Sequence, residues 1–192
     1  MATSSNWNDQ RAKGLASALV RFGGIGFWVQ LMFLVIVVLL GFYTFSISGG
    51  GAGLANVLSF LVLGLPVFTT FWCRRYAAVG RAWSDGGAAP TPASLGRMIW
   101  IGVWAGAIGA VASLLSLFGA ASALLVTMLA NPQVGLQISP ATGEAAAYTV
   151  SAIDAVSIMS LLLTLTAELL VVAISMRLVF LKAGAMQNNV SV

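Results

Sequence analysis

Histidine is absent from the 192 residues, and cysteine occurs once, as Cys73. Without histidine the chain lacks the commonest transition-metal ligand and the usual axial ligand of haem. A lone cysteine makes no disulfide framework and says nothing of redox compartment. Charge is scarce as well: 7% of residues are Asp, Glu, Lys or Arg, against 59% hydrophobic. A soluble domain needs about 25% charged residues to dress its surface, so the composition defines an integral membrane protein. The net charge of +4 comes from basic residues beside apolar runs. They mark topology, not a nucleic-acid surface. No metal, cofactor or nucleic acid is expected.

What the chain has is long apolar runs. Four spans are expected, at about 24–46, 54–73, 98–130 and 153–180, each long enough to cross a ~30 Å hydrocarbon layer as a helix. Residues 1–23 form a basic leader, whose Trp7, Leu15, Leu19 and Phe22 could line a short interfacial helix. The alternative is a partly ordered tail. A cleaved signal peptide fits poorly, because the following apolar run exceeds an h-region and lacks a clear A-x-A site. The run Ser48–Gly53 is a glycine turn, and Gly64 and Pro66 interrupt the second span. Residues 74–97 are expected as a hydrophilic loop, turn-rich from Asp85 to Pro92. The uncharged run from Met98 to Ala130 must tilt, break or project, with Gly119 the favoured break. Asn131-Pro132 ends it, the loop 131–150 follows, and Ser151-Ala152-Ile153-Asp154 has a capping-box pattern. The tail 183–192 is polar.

Topology follows from the cations. Arg11, Lys13, Arg21, Arg74, Arg75, Arg81 and Arg97 lie in the leader and central loop, and Arg177 and Lys182 close the fourth span. The other two connections carry none, so both termini and the central loop are expected to be cytoplasmic. Arg21, Arg74, Arg75, Arg97 and Arg177 are the interface anchors. The pattern R-x-x-x-I-G-x-W opens the first span at Arg21 and the third at Arg97. Two tandem helical hairpins are therefore expected, related by an axis along the membrane normal. Aligning Arg75 with Arg177 sets Pro66 opposite Glu168.

Glu168 stands near the middle of the last span, where an ionisable side chain costs about 2.5–3.5 kcal/mol or more. It must find a partner, take up a proton, or face water. Asp154, Ser157, Thr164, Glu168 and Ser175 share one broad helical stripe. Glu168, Thr164, Ser157 and Ser175, with Gln30 on the first span, are the candidate polar site. Two readings stay open: a path for an ion, proton or polar solute, or interhelical bonds that set bundle register. Asp154 reads as the cap of its helix. Gly102, Gly106 and Gly109 give the third span a smooth face for close packing. No Cys/His or Ser/His pair exists, and an aspartyl dyad needs two facing carboxylates; an enzyme is not expected.

Arg21-Phe-Gly-Gly-Ile-Gly-Phe-Trp-Val-Gln30-Leu31 resembles the first-span entry of a chloroplast inner-envelope family described as a translocon component and as an iron permease. Arg97-Met-Ile-Trp-Ile-Gly102 and Ser151-Ala-Ile-Asp154 resemble its third-span and fourth-span entries. Its bacterial homologues carry a domain of unknown function. The resemblance covers roughly residues 15–180 and implies a four-helix membrane fold common in photosynthetic lineages. It also implies a role in transport or translocation at a bacterial inner membrane. Where the family places Asn and His in the fourth span, this chain has Leu161, Leu163 and Glu168. A metal-transport role does not carry over onto those residues. The alternative function is a non-catalytic accessory subunit of a larger photosynthetic or respiratory complex. The expected partners are the bilayer and either a homo-oligomer or such a complex.

Overall fold

A computed structural model describes the backbone of residues 9–48, 54–130 and 152–186, and the side chains of 12–43, 64–130 and 154–186. These residues form four helices, α1 (Asp9–Ser48), α2 (Leu54–Ser84), α3 (Pro92–Ala130) and α4 (Ala152–Met186). Three segments, Ala12–Tyr43, Pro92–Ala130 and Asp154–Met186, are long and apolar enough to cross a membrane. α1 packs along α2 and α4, α3 along α4, and α2 over shorter stretches against α3 and α4. The four helices thus stand around a common axis in chain order.

Every helix runs beyond the span expected for it. α1 begins at Asp9, so most of the leader is the first turns of a continuous helix. Its Leu15 and Leu19 are 2% and 0% exposed, which fits neither a surface-lying helix nor a tail. α2 continues through Arg74 and Arg75 to Ser84, leaving only 85–91 between helices where a longer loop was expected. Its end is built as a Schellman motif: Gly86 has φ +87°, and the N–H groups of Gly86 and Gly87 donate to Trp83 O and Ala82 O. Thr91 then caps α3, its Oγ1 accepting from the Ser94 N–H at 3.3 Å, with Pro92 at the first helical position. α3 is unbroken at Gly119 over 39 residues, about 58 Å at 1.5 Å per residue. Pro66 lies inside a continuous α2. The turn 49–53, the loop 131–150, Ser151 and the tail from Gln187 lie outside the described residues.

The bundle has two storeys. Contacts of Gly23 and Gly26 with residues 73–77 and Ile174, and of Gly102 with Tyr76 and Ser175, set Arg21, Arg74, Arg75, Arg97 and Arg177 at one level. Beyond that belt, Ala12, Leu15, Leu19, Leu95, Leu178 and Ala185 form a buried apolar core with Tyr76 and Ile99, while Lys13, Ser17 and Arg81 are exposed. That is the pattern water imposes, and each buried Leu or Ile contributes about 1.5–3 kcal/mol by leaving it. On the other side of the belt the pattern inverts. Leu39, Phe42, Leu115, Phe118 and Leu129 are exposed, while Gln30, Thr69, Ser113, Thr164 and Glu168 are buried. Lipid offers no hydrophobic drive for helix association, so small residues and polar bonds take over.

The contacts themselves repeat. Aligning the hairpins on Arg21/Arg97 and Arg75/Arg177 pairs Gly26 with Gly102, Cys73 with Ser175, and Trp72 with Ile174. A Cβ on Gly26 would meet Ile174 at 2.8 Å and Cys73 at 3.2 Å; one on Gly102 would meet Ser175 at 2.9 Å and Trp72 at 3.1 Å. Likewise Gly80 meets Val20, and their counterparts Lys182 and Gly96 meet each other. These equivalent close approaches support two tandem hairpins arranged about a pseudo-two-fold axis.

Candidate functional site

Glu168 lies nine residues before Arg177, about 13 Å further along α4. Its side chain is fully buried. The nearest support comes from α2, where Thr69 Oγ1 donates to Glu168 Oε1 at 3.3 Å. From α1, the Gln30 amide donates to Thr69 Oγ1 at 3.1 Å and to Ala167 O at 3.3 Å. α3 closes the site from the fourth side. A Cβ on Gly109 would stand 2.7 Å from the Glu168 carboxyl carbon, so only glycine lets the carboxyl lie flat against that helix.

Thr69 is the joint of the cluster. Its single hydroxyl proton has three acceptors within reach, Leu65 O at 3.1 Å, Pro66 O at 3.3 Å and Glu168 Oε1 at 3.3 Å. One proton serves one acceptor at a time. Turning it towards Glu168 does not strand the Pro66 carbonyl, because Thr70 Oγ1 also donates there at 2.6 Å. Among the described residues, three buried polar atoms have no protein partner: Gln30 Oε1, Glu168 Oε2 and Ser113 Oγ. Ser113 sits one turn beyond Gly109, on the same face of α3.

The expected site residues do not all come together. Gln30 and Glu168 are brought together through Thr69. Thr164 is buried but donates within its own helix, to Ser160 O at 2.9 Å, not to Glu168. Ser175 belongs to a different cluster at the level of the arginines, where it bonds the Tyr76 hydroxyl at 3.2 Å. Tyr76 also reaches Ile99 O at 3.3 Å, and the Trp72 indole donates to Met98 O at 3.0 Å, tying α2 to α3. Ser157 is half-buried nearer the far end of α4. Gly102, Gly106 and Gly109 all lie against neighbours, Gly102 under the Tyr76 hydroxyl and Gly106 under Val172, which an added Cβ would meet at 2.9 Å.

Thr69, Thr70 and Ser113 are additions that the sequence did not single out. A threonine three or four residues after a proline is one usable signal, since it stands over the carbonyls around the break. Among the described residues no three of His, Cys, Asp and Glu come together as a metal-ligand group. The arginine belt is held by rings: Arg74 over Phe27 at 5.8 Å, Arg75 over Trp72 at 4.9 Å and Arg177 over Phe22 at 4.9 Å.

A helical bundle with lipid-facing apolar walls and a polar centre defines a multi-pass membrane protein. Residues 9–181 match the family described as protein of unknown function DUF3611, and the chain belongs to that family. No curated protein matches it, and no solved structure does.

Proposed function

We propose that the protein is a small transport or translocation component of a bacterial inner membrane, with Glu168 as its working group. In this reading all four helices span the bilayer, and the arginine belt marks the cytoplasmic interface. Both termini and the 85–91 connection are then cytoplasmic. The observation that carries the proposal is that Glu168 Oε2, Gln30 Oε1 and Ser113 Oγ are all buried and unpaired among the described residues. A buried polar group left unpaired costs about 1–3 kcal/mol. Intramembrane acids of this kind mark pathways for ions, protons or polar solutes. The likeness to the chloroplast inner-envelope family, common in photosynthetic lineages, points the same way. No enzymatic step is assigned.

A second reading has its own support. Gly109 packs so closely on the carboxyl that Glu168 has little room to move. That suits a non-catalytic accessory subunit, whose polar centre only fixes helix register within a larger photosynthetic or respiratory complex.

Glu168→Gln and Glu168→Leu separate the two. Each variant is tested for thermal stability in detergent and for complementation of a deletion strain. The transport reading expects Gln to keep the wild-type melting point and lose complementation, because an amide keeps the bonds but cannot release the proton. A Gln variant that complements fully overturns it and leaves the register role. Leu is expected to lose stability under both readings, because the Thr69–Glu168 bond is lost and a branched side chain is set against Gly109. Purification in mild detergent adds a second discriminator: a homo-oligomer favours transport, and comigration with a pigment or redox complex favours the accessory role.

A further inference from the structure

Among the described residues the two hairpins differ in the crevice that each presents on the lateral surface. Between α1 and α4 runs an open groove of about 450 Å³, lined by Phe22, Leu170, Ala173, Ile174, Arg177 and Phe180 among others. The hairpin alignment gives its counterpart between α3 and α2. There Phe22 is replaced by Met98, Leu170 by Phe68, Ala173 by Phe71 and Ile174 by Trp72, while arginine is kept as Arg75.

On that second side protein aromatics cover the crevice. Phe68 and Trp72 stack at 5.3 Å, the Trp72 indole bonds Met98 O, and Arg75 lies over the Trp72 ring. On the first side smaller side chains leave the groove open, and Arg177 lies over Phe22 at one end.

We propose that the α1–α4 groove binds one anionic phospholipid, its acyl chain along Leu170, Ala173 and Ile174 and its phosphate on Arg177. Three features specify that occupant. The wall is almost wholly apolar and faces the bilayer, which selects a hydrocarbon chain. The one charged lining residue is an arginine at the level of the belt, where headgroups lie. Its guanidinium face is taken by Phe22, and the planar edge with its N–H fork stays available for bidentate phosphate contact. This inference does not depend on the role of Glu168.

The test uses the full-length protein, equilibrated with an equimolar mixture of phosphatidylglycerol and phosphatidylcholine in mild detergent. Bound lipid is counted by native mass spectrometry. Wild type is expected to retain phosphatidylglycerol roughly fivefold over phosphatidylcholine, the preference one arginine gives near an anionic headgroup. Arg177→Gln should bring that ratio close to one, and Arg75→Gln should leave it unchanged. Ala173→Phe, which copies the ring at Phe71 onto an exposed position, should lower retention of both lipids. Circular dichroism and elution volume establish that each variant is folded. Equal retention of the two lipids by wild type overturns the proposal. So does a preference that survives Arg177→Gln, or one that Arg75→Gln removes as fully. Undiminished retention by folded Ala173→Phe removes the groove from the account.

Discussion

At the scale of single residues, Thr69 matters more than its chemistry alone suggests. Most membrane-helix threonines satisfy themselves on a carbonyl one turn back, as Thr70, Thr164 and Thr166 do here. Thr69 also accepts from Gln30 and reaches Glu168, so it joins α1, α2 and α4. Thr69→Val keeps the shape but removes that joint, leaving the Gln30 amide and Glu168 Oε1 each short of a partner. Because interhelical bonds in membranes average about 0.6 kcal/mol, and two are lost, about 1 kcal/mol is expected. Thr70→Val, which loses a bond within one helix, should cost clearly less. Equal unfolding midpoints for the two in a denaturing-detergent titration would mean that the joint contributes nothing. Glu168 and Gln30 were visible in the sequence because polar side chains stand out in an apolar run. Thr69 and Ser113 were not, since only their neighbours on other helices distinguish them from ordinary fillers.

At the scale of elements, two glycines of α3 separate what packing requires from what it tolerates. A Cβ on Gly106 would meet Val172 at 2.9 Å and Glu168 O at 3.3 Å, whereas one on Gly119 would meet nothing within 4 Å. Gly106→Leu must therefore push α3 from α4, and a loss of about 2–3 kcal/mol, in the range for overpacking, is expected. Gly119→Ala should instead stabilise by up to about 1 kcal/mol, through helix propensity alone. Thermal melts in one detergent check both. An unchanged melt for Gly106→Leu would mean that the glycine face is not a packing face. The same contrast explains why helix existence was legible but helix ends were not. Apolar length announces a membrane segment, yet the turns beyond the arginine belt have the amphipathic pattern of soluble helices. Ala12, Leu15 and Leu19 on α1 and Ala185 on α4 look like tails until all four helices are seen to bury them together. Gly119 was read as a break because glycine is a poor helix former in water. In α3 the run of helix is simply continued through it.

At the scale of the whole molecule, the arginine belt divides a storey with apolar outer walls from one with a water-type core, and the proposed orientation rests on that belt. Cations are retained on the cytoplasmic side; the described connection 85–91 lies on the belt side, and the connection 131–150 joins the opposite ends of α3 and α4. Ala88 is exposed, so a cysteine there is reachable from the side its loop faces. The native thiol is a small complication, because Cys73 is fully buried and Cys73→Ser merely copies the equivalent Ser175, which already packs against Gly102. In a Cys73→Ser background, Gln137→Cys should react in intact cells with a thiol reagent that cannot cross the membrane. Ala88→Cys should react only after the cells are opened. Reversed labelling would turn the bundle over, placing the Arg177 groove in the outer leaflet. If both positions label from one side, α3 and α4 do not both cross, and the buried Glu168 cluster would no longer lie midway through the bilayer.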